Sequence, residues 1–248
     1  LKGSGNSHVA ILARTMGIPT VMGVVDLPIN RLDGREVILD GYKGELIGNP
    51  SETVRQRYEN TIKEQAELIA GLEELKDLPC ITADEHRVHL WVNTGLISDV
   101  VRSLDQGAEG VGLYRTEVPF LLSERFPSEH EQAEIYREQL EAFSPMPVTM
   151  RTLDIGGDKA LSYFPIEEEN PFLGWRGIRV TLDHPEIFTA QIRAMMRASA
   201  GLENLQIMLP MISNVNEVNS AIQLIKRAYT ELIQEGLSIK YPAVGVMI

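Results

Sequence analysis

PVTMRTLDIGGDK, residues 147–159, reads as a short apolar strand that ends by delivering a cation into a glycine turn. Arg151 comes first, then Asp154, and Gly156 and Gly157 open a turn closed by Asp158 and Lys159. A guanidinium at the exit of a buried strand is costly unless an anion meets it, and paired glycines let backbone N–H groups approach that anion. Two readings are open here: half of a phosphate-binding site, or an arginine paired with Asp154 at a strand end. Two further arginines, Arg115 after GVGLY and Arg176 within NPFLGWRGIR, flank the stretch and raise the same question.

Working outward, the chain alternates strands and helices. Strands are expected at 88–93, 110–114, 148–153 and 206–211, helices at 98–106, 128–143, 185–200 and 215–235, and a fifth strand begins at Ala243. Such alternation implies right-handed crossovers and a parallel sheet. Five units over residues 80–248 match the first five strands of a (β/α)8 TIM-type barrel, which closes in about 250 residues. A doubly wound open sheet competes. The barrel is preferred because arginine-bearing segments recur at successive strand C-terminal ends, where barrel enzymes place their chemistry. The segment 154–184 is too long for a plain connection and is expected to decorate that same face.

The N-terminal third differs. GSGNSHVAILARTMGIPTVMG, from Gly3, reads as a glycine loop, a helix over 7–16 and a short strand over 20–22. Asn6 or Ser7 would be the N-cap, leaving His8 in the first turn. The positive helix end disfavours the imidazolium and attracts a phosphoryl group, so a neutral His8 could attack phosphorus there; a surface histidine beside a cap is the plainer alternative. Residues 24–50 carry turn signals and short alternating strands, and 51–75 reads as a connecting helix capped by Ser51 and ended by the approach to Pro79. The expected division is 1–50 as the end of a small mixed domain, 51–79 as a helical linker, and 80–248 as the barrel portion.

At 248 residues, 44% apolar and 23% charged, the chain has the makeup of an ordinary globular protein. A net charge of -12 argues against nucleic acid, so any phosphate site must be a local basic pocket. The single cysteine, Cys80, fits a reducing compartment, and neither a membrane-length apolar run nor a signal peptide is visible, which makes a cytoplasmic location the expectation. The loop-like start and the apolar end at Ile248 read as cuts through larger domains. Three guanidiniums on one mouth would repel one another unless an anion with several acceptor oxygens sat between them; a phosphorylated carboxylic acid would serve, with Lys159 adding a charge and Glu117 and Asp154 orienting the cations. Structural ion pairs remain the alternative. His86, His89, His130 and His184 are read as surface residues, Trp91 and Trp175 as core and loop anchors.

GSGNSHVAILAR, GVGLYRTEVPFLL, MRTLDIGGDK, NPFLGWRGIR and LPMISNVNEV, in that order, resemble the enzyme I family, the phosphoenolpyruvate-protein phosphotransferases of the bacterial phosphotransferase system. GIPTVMG, DGYKGEL, YRTEVPFLL and Asn6 are more similar to the nitrogen-related branch than to the sugar-transport branch. The resemblance implies that His8 is the phosphorylated histidine, on a swivelling phosphohistidine domain of which residues 1–50 are the C-terminal part. It implies that Arg115 and Arg151 bind phosphoenolpyruvate, with Arg176 and Lys159 as further pocket members. It implies magnesium, with ligands beyond Ile248, a histidine phosphocarrier protein as partner, a general-acid cysteine further along the barrel, and a homodimer at full length. Residues 1–248 alone are therefore expected not to turn over. A dikinase, such as pyruvate phosphate dikinase or phosphoenolpyruvate synthase, and a non-catalytic regulatory relative that binds phosphoenolpyruvate are the alternatives.

Overall fold

The computed structural model describes residues 13, 18–24, 27, 29–95, 98–157, 159, 161–166, 169–170 and 173–247. The chain divides into two compact units, Leu1–Leu78 and Pro79–Ile248.

In the first unit a short helix α1 (Ile29–Leu32) leads into an antiparallel hairpin of β1 (Val37–Asp40) and β2 (Glu45–Gly48), with Val37 opposite Gly48 and Asp40 opposite Glu45. The hairpin turn is closed by Asp40, whose Oδ1 accepts from the backbone N–H groups of Tyr42 and Lys43, both at 3.0 Å. Helix α2 (Glu52–Glu73) starts where sequence places it, with the Ser51 hydroxyl accepting from Val54 N. Tyr58 donates to Asp40 Oδ2 at 2.9 Å and Arg55 pairs with Glu36, which hold the first turns of α2 on the hairpin. Residues 20–22 do not form the expected strand. The Thr20 backbone instead runs against Gly41, where an added Cβ would come within 3.3 Å of Thr20 N, so it packs edgewise on the hairpin turn rather than joining a ladder. The expected helix over 7–16, and His8 with it, lies outside the described residues apart from Ala13.

The second unit carries a parallel sheet of β3 (Val92–Thr94), β4 (Val111–Arg115), β5 (Val148–Arg151), β6 (Leu205–Leu209) and β7 (Ala243–Val246), joined in that order. Between them run α3 (Ser98–Asp105), α4 (Glu117–Leu121), α5 (Glu129–Phe143), α6 (Ile178–Asp183), α7 (Pro185–Ala198) and α8 (Val215–Gln234). Spatial order equals chain order throughout. A doubly wound sheet reverses direction at a switch point, whereas unbroken succession is the winding of a (β/α)8 barrel, so this α/β unit is a partial TIM-type barrel of five strands. The core lies between sheet and helices, where Tyr114, Met150 and Ile207 meet Tyr136, Phe143, Phe188, Ile192 and Ile225, all nearly or fully buried. The central strand β5 is buried along its whole length.

Three features depart from expectation. β3 is confined to Val92–Thr94 because the preceding residues are tied to Glu109: Leu90 N donates to its side chain at 2.9 Å, and Glu109 N donates to Leu90 O at 2.9 Å. Trp91 is correspondingly 40% exposed and is no core anchor. α4 and α6 are short helices within stretches read as connections, and α6 accounts for the tail of the long 154–184 segment.

Candidate anion-binding site

β4 and β5 end side by side, with Arg115 in register with Arg151. Past Arg151 the chain is buried through Thr152, Leu153, Asp154 and Ile155. It then reverses at Gly156 (φ 112°) and Gly157 (φ 64°), conformations that side chains resist, and returns to Lys159. Gly156 and Lys159 exchange backbone hydrogen bonds at 3.1 and 3.2 Å. A Cβ on Gly156 would lie 2.6 Å from the Cβ of Arg176, so the absence of a side chain here is what lets the Arg176 segment pack onto the turn.

Three of the four cations singled out in the sequence meet on two carboxylates. Arg151 Nη2 donates to Glu117 Oε1 at 2.7 Å, and its Nη1 lies 3.3 Å from Asp154 Oδ2. Lys159 Nζ donates to Glu117 Oε1 at 2.8 Å and to Asp154 Oδ2 at 3.0 Å. Arg176 Nη2 reaches both Asp154 oxygens, at 3.1 and 3.3 Å. Arg151, Arg176, Glu117 and Asp154 are at most 9% exposed. Burial pushes the Asp154 carboxyl up, but Lys159, Arg151 and Arg176 together outweigh it and hold the group below the usual carboxylate range. The cluster pairs three cations with two carboxylates, and it keeps Asp154 ionised.

Arg115 is placed differently. It is exposed at the neighbouring strand end, forms no ion pair with a described residue, and passes close to Gly95, whose added Cβ would lie 3.7 Å from its Nε. Register brings it to the same end of the sheet as Arg151, without joining the buried network. The ion-pair reading and the anion reading of Arg151 are therefore compatible: the pairs exist, and beside them stands a guanidinium with no ion-pair partner among the described residues. Within the network, Glu117 Oε2, Arg151 Nε and Arg176 Nε are buried without a hydrogen-bond partner, so the described residues alone leave the cluster unsatisfied.

Glu117 owes its place to α4, which starts directly after Arg115 and Thr116 and turns the side chain back over the strand ends. The long segment is supported by a second cluster in which Phe126 packs edge-on against Phe120, Tyr163 and Phe164. His184, expected on the surface, is half-buried there against Phe164 and Trp175, and Trp175 Nε1 donates to Asp183 at 2.6 Å, in keeping with a loop anchor. Among the described residues no group of three or more His, Cys, Asp or Glu side chains is arranged to hold a metal ion. Glu117 and Asp154 are already engaged by three cations and do not make one.

Singly wound parallel sheet, cationic cluster at the strand C-terminal ends and glycine turn are features of one class. The model of the PEP-utilising enzyme PEP-binding domain matches residues 69–248, and that of the PEP-utilising enzyme mobile domain matches residues 1–44. The chain belongs to the PEP-utilising enzymes. It is 47% identical over 247 residues to proteins of Salmonella typhimurium and Escherichia coli, each named "Phosphoenolpyruvate-dependent phosphotransferase system", covering 99% of this chain and 33% of each relative. It is 41% identical over 242 residues to the "Phosphoenolpyruvate-protein phosphotransferase" of Staphylococcus carnosus, covering 96% of this chain and 41% of the relative. The chain spans about a third of the length of the first two.

Proposed function

We propose that this chain acts in phosphoenolpyruvate-dependent protein phosphorylation: the phosphoryl group of phosphoenolpyruvate passes to His8 and then to a histidine phosphocarrier protein. The observation that carries the reading is the set of cations at the C-terminal ends of β4 and β5, three of them organised by Glu117 and Asp154 and the fourth, Arg115, exposed beside them. Arg115, Arg151, Arg176 and Lys159 are assigned to the substrate. Its carboxylate and phosphate oxygens would exchange with, or add to, the internal carboxylates as partners of the guanidiniums. In the transfer the His8 imidazole nitrogen forms a bond to phosphorus as the bond to the enol oxygen breaks. The electron pair stays on pyruvate enolate, which takes a proton at carbon. The relatives' names, both of phosphotransferases, favour this over a dikinase.

The proposed division is 1–50 as part of a phosphohistidine domain, 51–79 as linker and 80–248 as the phosphoenolpyruvate-binding portion. Magnesium is part of the proposal, with ligands past Ile248; in this chain the arginines and Lys159 bind and orient the donor. Cytoplasmic location, a full-length homodimer and membership of the nitrogen-related branch complete the reading, the last resting on GIPTVMG, DGYKGEL, YRTEVPFLL and Asn6. No described helix is long and apolar enough to cross a membrane.

The test uses the full-length protein with labelled phosphoenolpyruvate and magnesium. Acid-labile, base-stable label is expected on His8, absent from His8→Ala and strongly reduced in Arg151→Ala that retains the wild-type far-UV spectrum. Calorimetric binding of phosphoenolpyruvate without any label would sink the transferase reading and leave a binding module.

A further inference from the structure

Gln191 sits in the middle of α7, fully buried, on the helix face that meets the sheet. A buried primary amide is rare in such a layer unless it is satisfied, and this one is satisfied by residues just past the two strand ends that carry the arginines and by one hydroxyl of α5. Its Oε1 accepts from Leu153 N at 2.8 Å, within the buried run between Arg151 and Asp154. Its Nε2 donates to Thr116 Oγ1 and to the Tyr136 hydroxyl, both at 3.1 Å. Thr116, between Arg115 and Glu117, in turn donates to Arg151 O at 2.7 Å, and Tyr136 donates to Gln132 Oε1 at 3.2 Å. Because both hydroxyls spend their protons elsewhere, each must accept from Gln191, while Leu153 N–H requires the carbonyl. Only one orientation of the amide fits.

From this closed circuit we infer that Gln191 is a positioning residue for the anion site: it fixes the end of β5 against the end of β4, and with them Arg151 and Asp154 against Arg115 and Glu117. It touches none of the cations. Removing it leaves the buried Leu153 N–H without its acceptor and takes away the amide donor to Thr116, so only the strand register and the Thr116–Arg151 bond still hold the two arginine-bearing ends, which can then shift against each other. A shift on the order of 1 Å in such a site costs about a hundredfold in efficiency.

This inference rests on the phosphoenolpyruvate reading, and the test separates the two. In the full-length protein, Gln191→Met, close in size and unable to make the three bonds, is expected to raise the KM for phosphoenolpyruvate about tenfold or more, with a smaller effect on kcat. Thr116→Val is expected to do the same and Thr116→Ser to restore the wild-type value, which keeps the test sharp should Gln191→Met fail to fold. Asn204→Leu removes another buried amide, one bonded to Leu140 O and Met146 O next to the opposite end of β6, and is expected to lower Tm with KM unchanged. Wild-type KM in folded Gln191→Met and Thr116→Val, or equal KM changes in Asn204→Leu, would overturn the positioning role alone. Failure of wild type to bind phosphoenolpyruvate would overturn the site reading and this inference with it.

Discussion

Asp154 holds three cations on one carboxylate while 3% exposed. Such a group is stabilising only as long as it is ionised. Its folded pKa lies below the ordinary carboxyl value, so its contribution is complete above about pH 4 and is lost as the pH falls through the lower folded value. Asp154→Asn leaves Arg151 and Lys159 on Glu117 and takes from Arg176 the carboxylate it pairs with, and breaking a buried ion pair from one side costs about 3–5 kcal/mol. Urea unfolding of wild type and Asp154→Asn across the acid range should therefore show a difference that is large at pH 7 and shrinks steadily below about pH 4. A difference that stays constant with pH would mean that the carboxylate charge is not what the arginines respond to.

Among the elements, those with strong local instructions were legible and those defined by distant contacts were not. α5 and α8 both begin where a capping box can be read: Ser128 with Glu131, and Asn214 with Glu217, each pair satisfying the other's backbone N–H. The Arg125 guanidinium, with the Ser128 backbone and hydroxyl, holds the Glu131 carboxyl down to about 2, so this cap persists well into acid. Ser128→Ala should cost about 1 kcal/mol by thermal unfolding and leave the KM for phosphoenolpyruvate unchanged, since the side chains of Ser128 and Glu131 bond each other and Arg125 and none of the cations of the site. An unchanged Tm would show that the box contributes nothing beyond what water supplies. By contrast α4 has an internal proline and only five residues, and nothing local announces it; it exists because Glu117 reaches Arg151 and Lys159 and Phe120 fills the second cluster. Arg115 and Arg151 were visible through their strand-end positions and Arg176 through its place in the long segment, with Asp154 and Glu117 as their partners. Gln191 was not, because a lone glutamine in an amphipathic helix gives no sign of what it will meet across the sheet. Trp91 misled for a related reason: its hydrophobicity suggests burial, but Gly112 beside it leaves no side chain to pack against from β4.

At the scale of the molecule, the two compact units part between Leu78 and Pro79, and the backbone that leads there is held only by itself. From Glu74 to Leu78 every residue is exposed, and the hydrogen bonds are local, Leu75 N to Leu72 O and Leu78 N to Leu75 O. Opening that turn breaks no ladder and uncovers no core, so its local unfolding free energy should lie near the bottom of the scale for this chain. Proteolysis under native conditions follows the population of such open states when reclosing is fast. Brief trypsin treatment should thus cut first after Lys76, and glutamyl endopeptidase after Glu73 or Glu74. Either leaves a fragment that retains all five parallel strands together with Arg115, Arg151, Lys159 and Arg176. Mass spectrometry identifies the cut, and thermal unfolding of the fragment should keep the acid dependence set by Asp154. Early cleavage at Arg125 or Lys159 instead would mean that the segment over the cations opens more readily than the turn between the units, and that the anion site is not preformed.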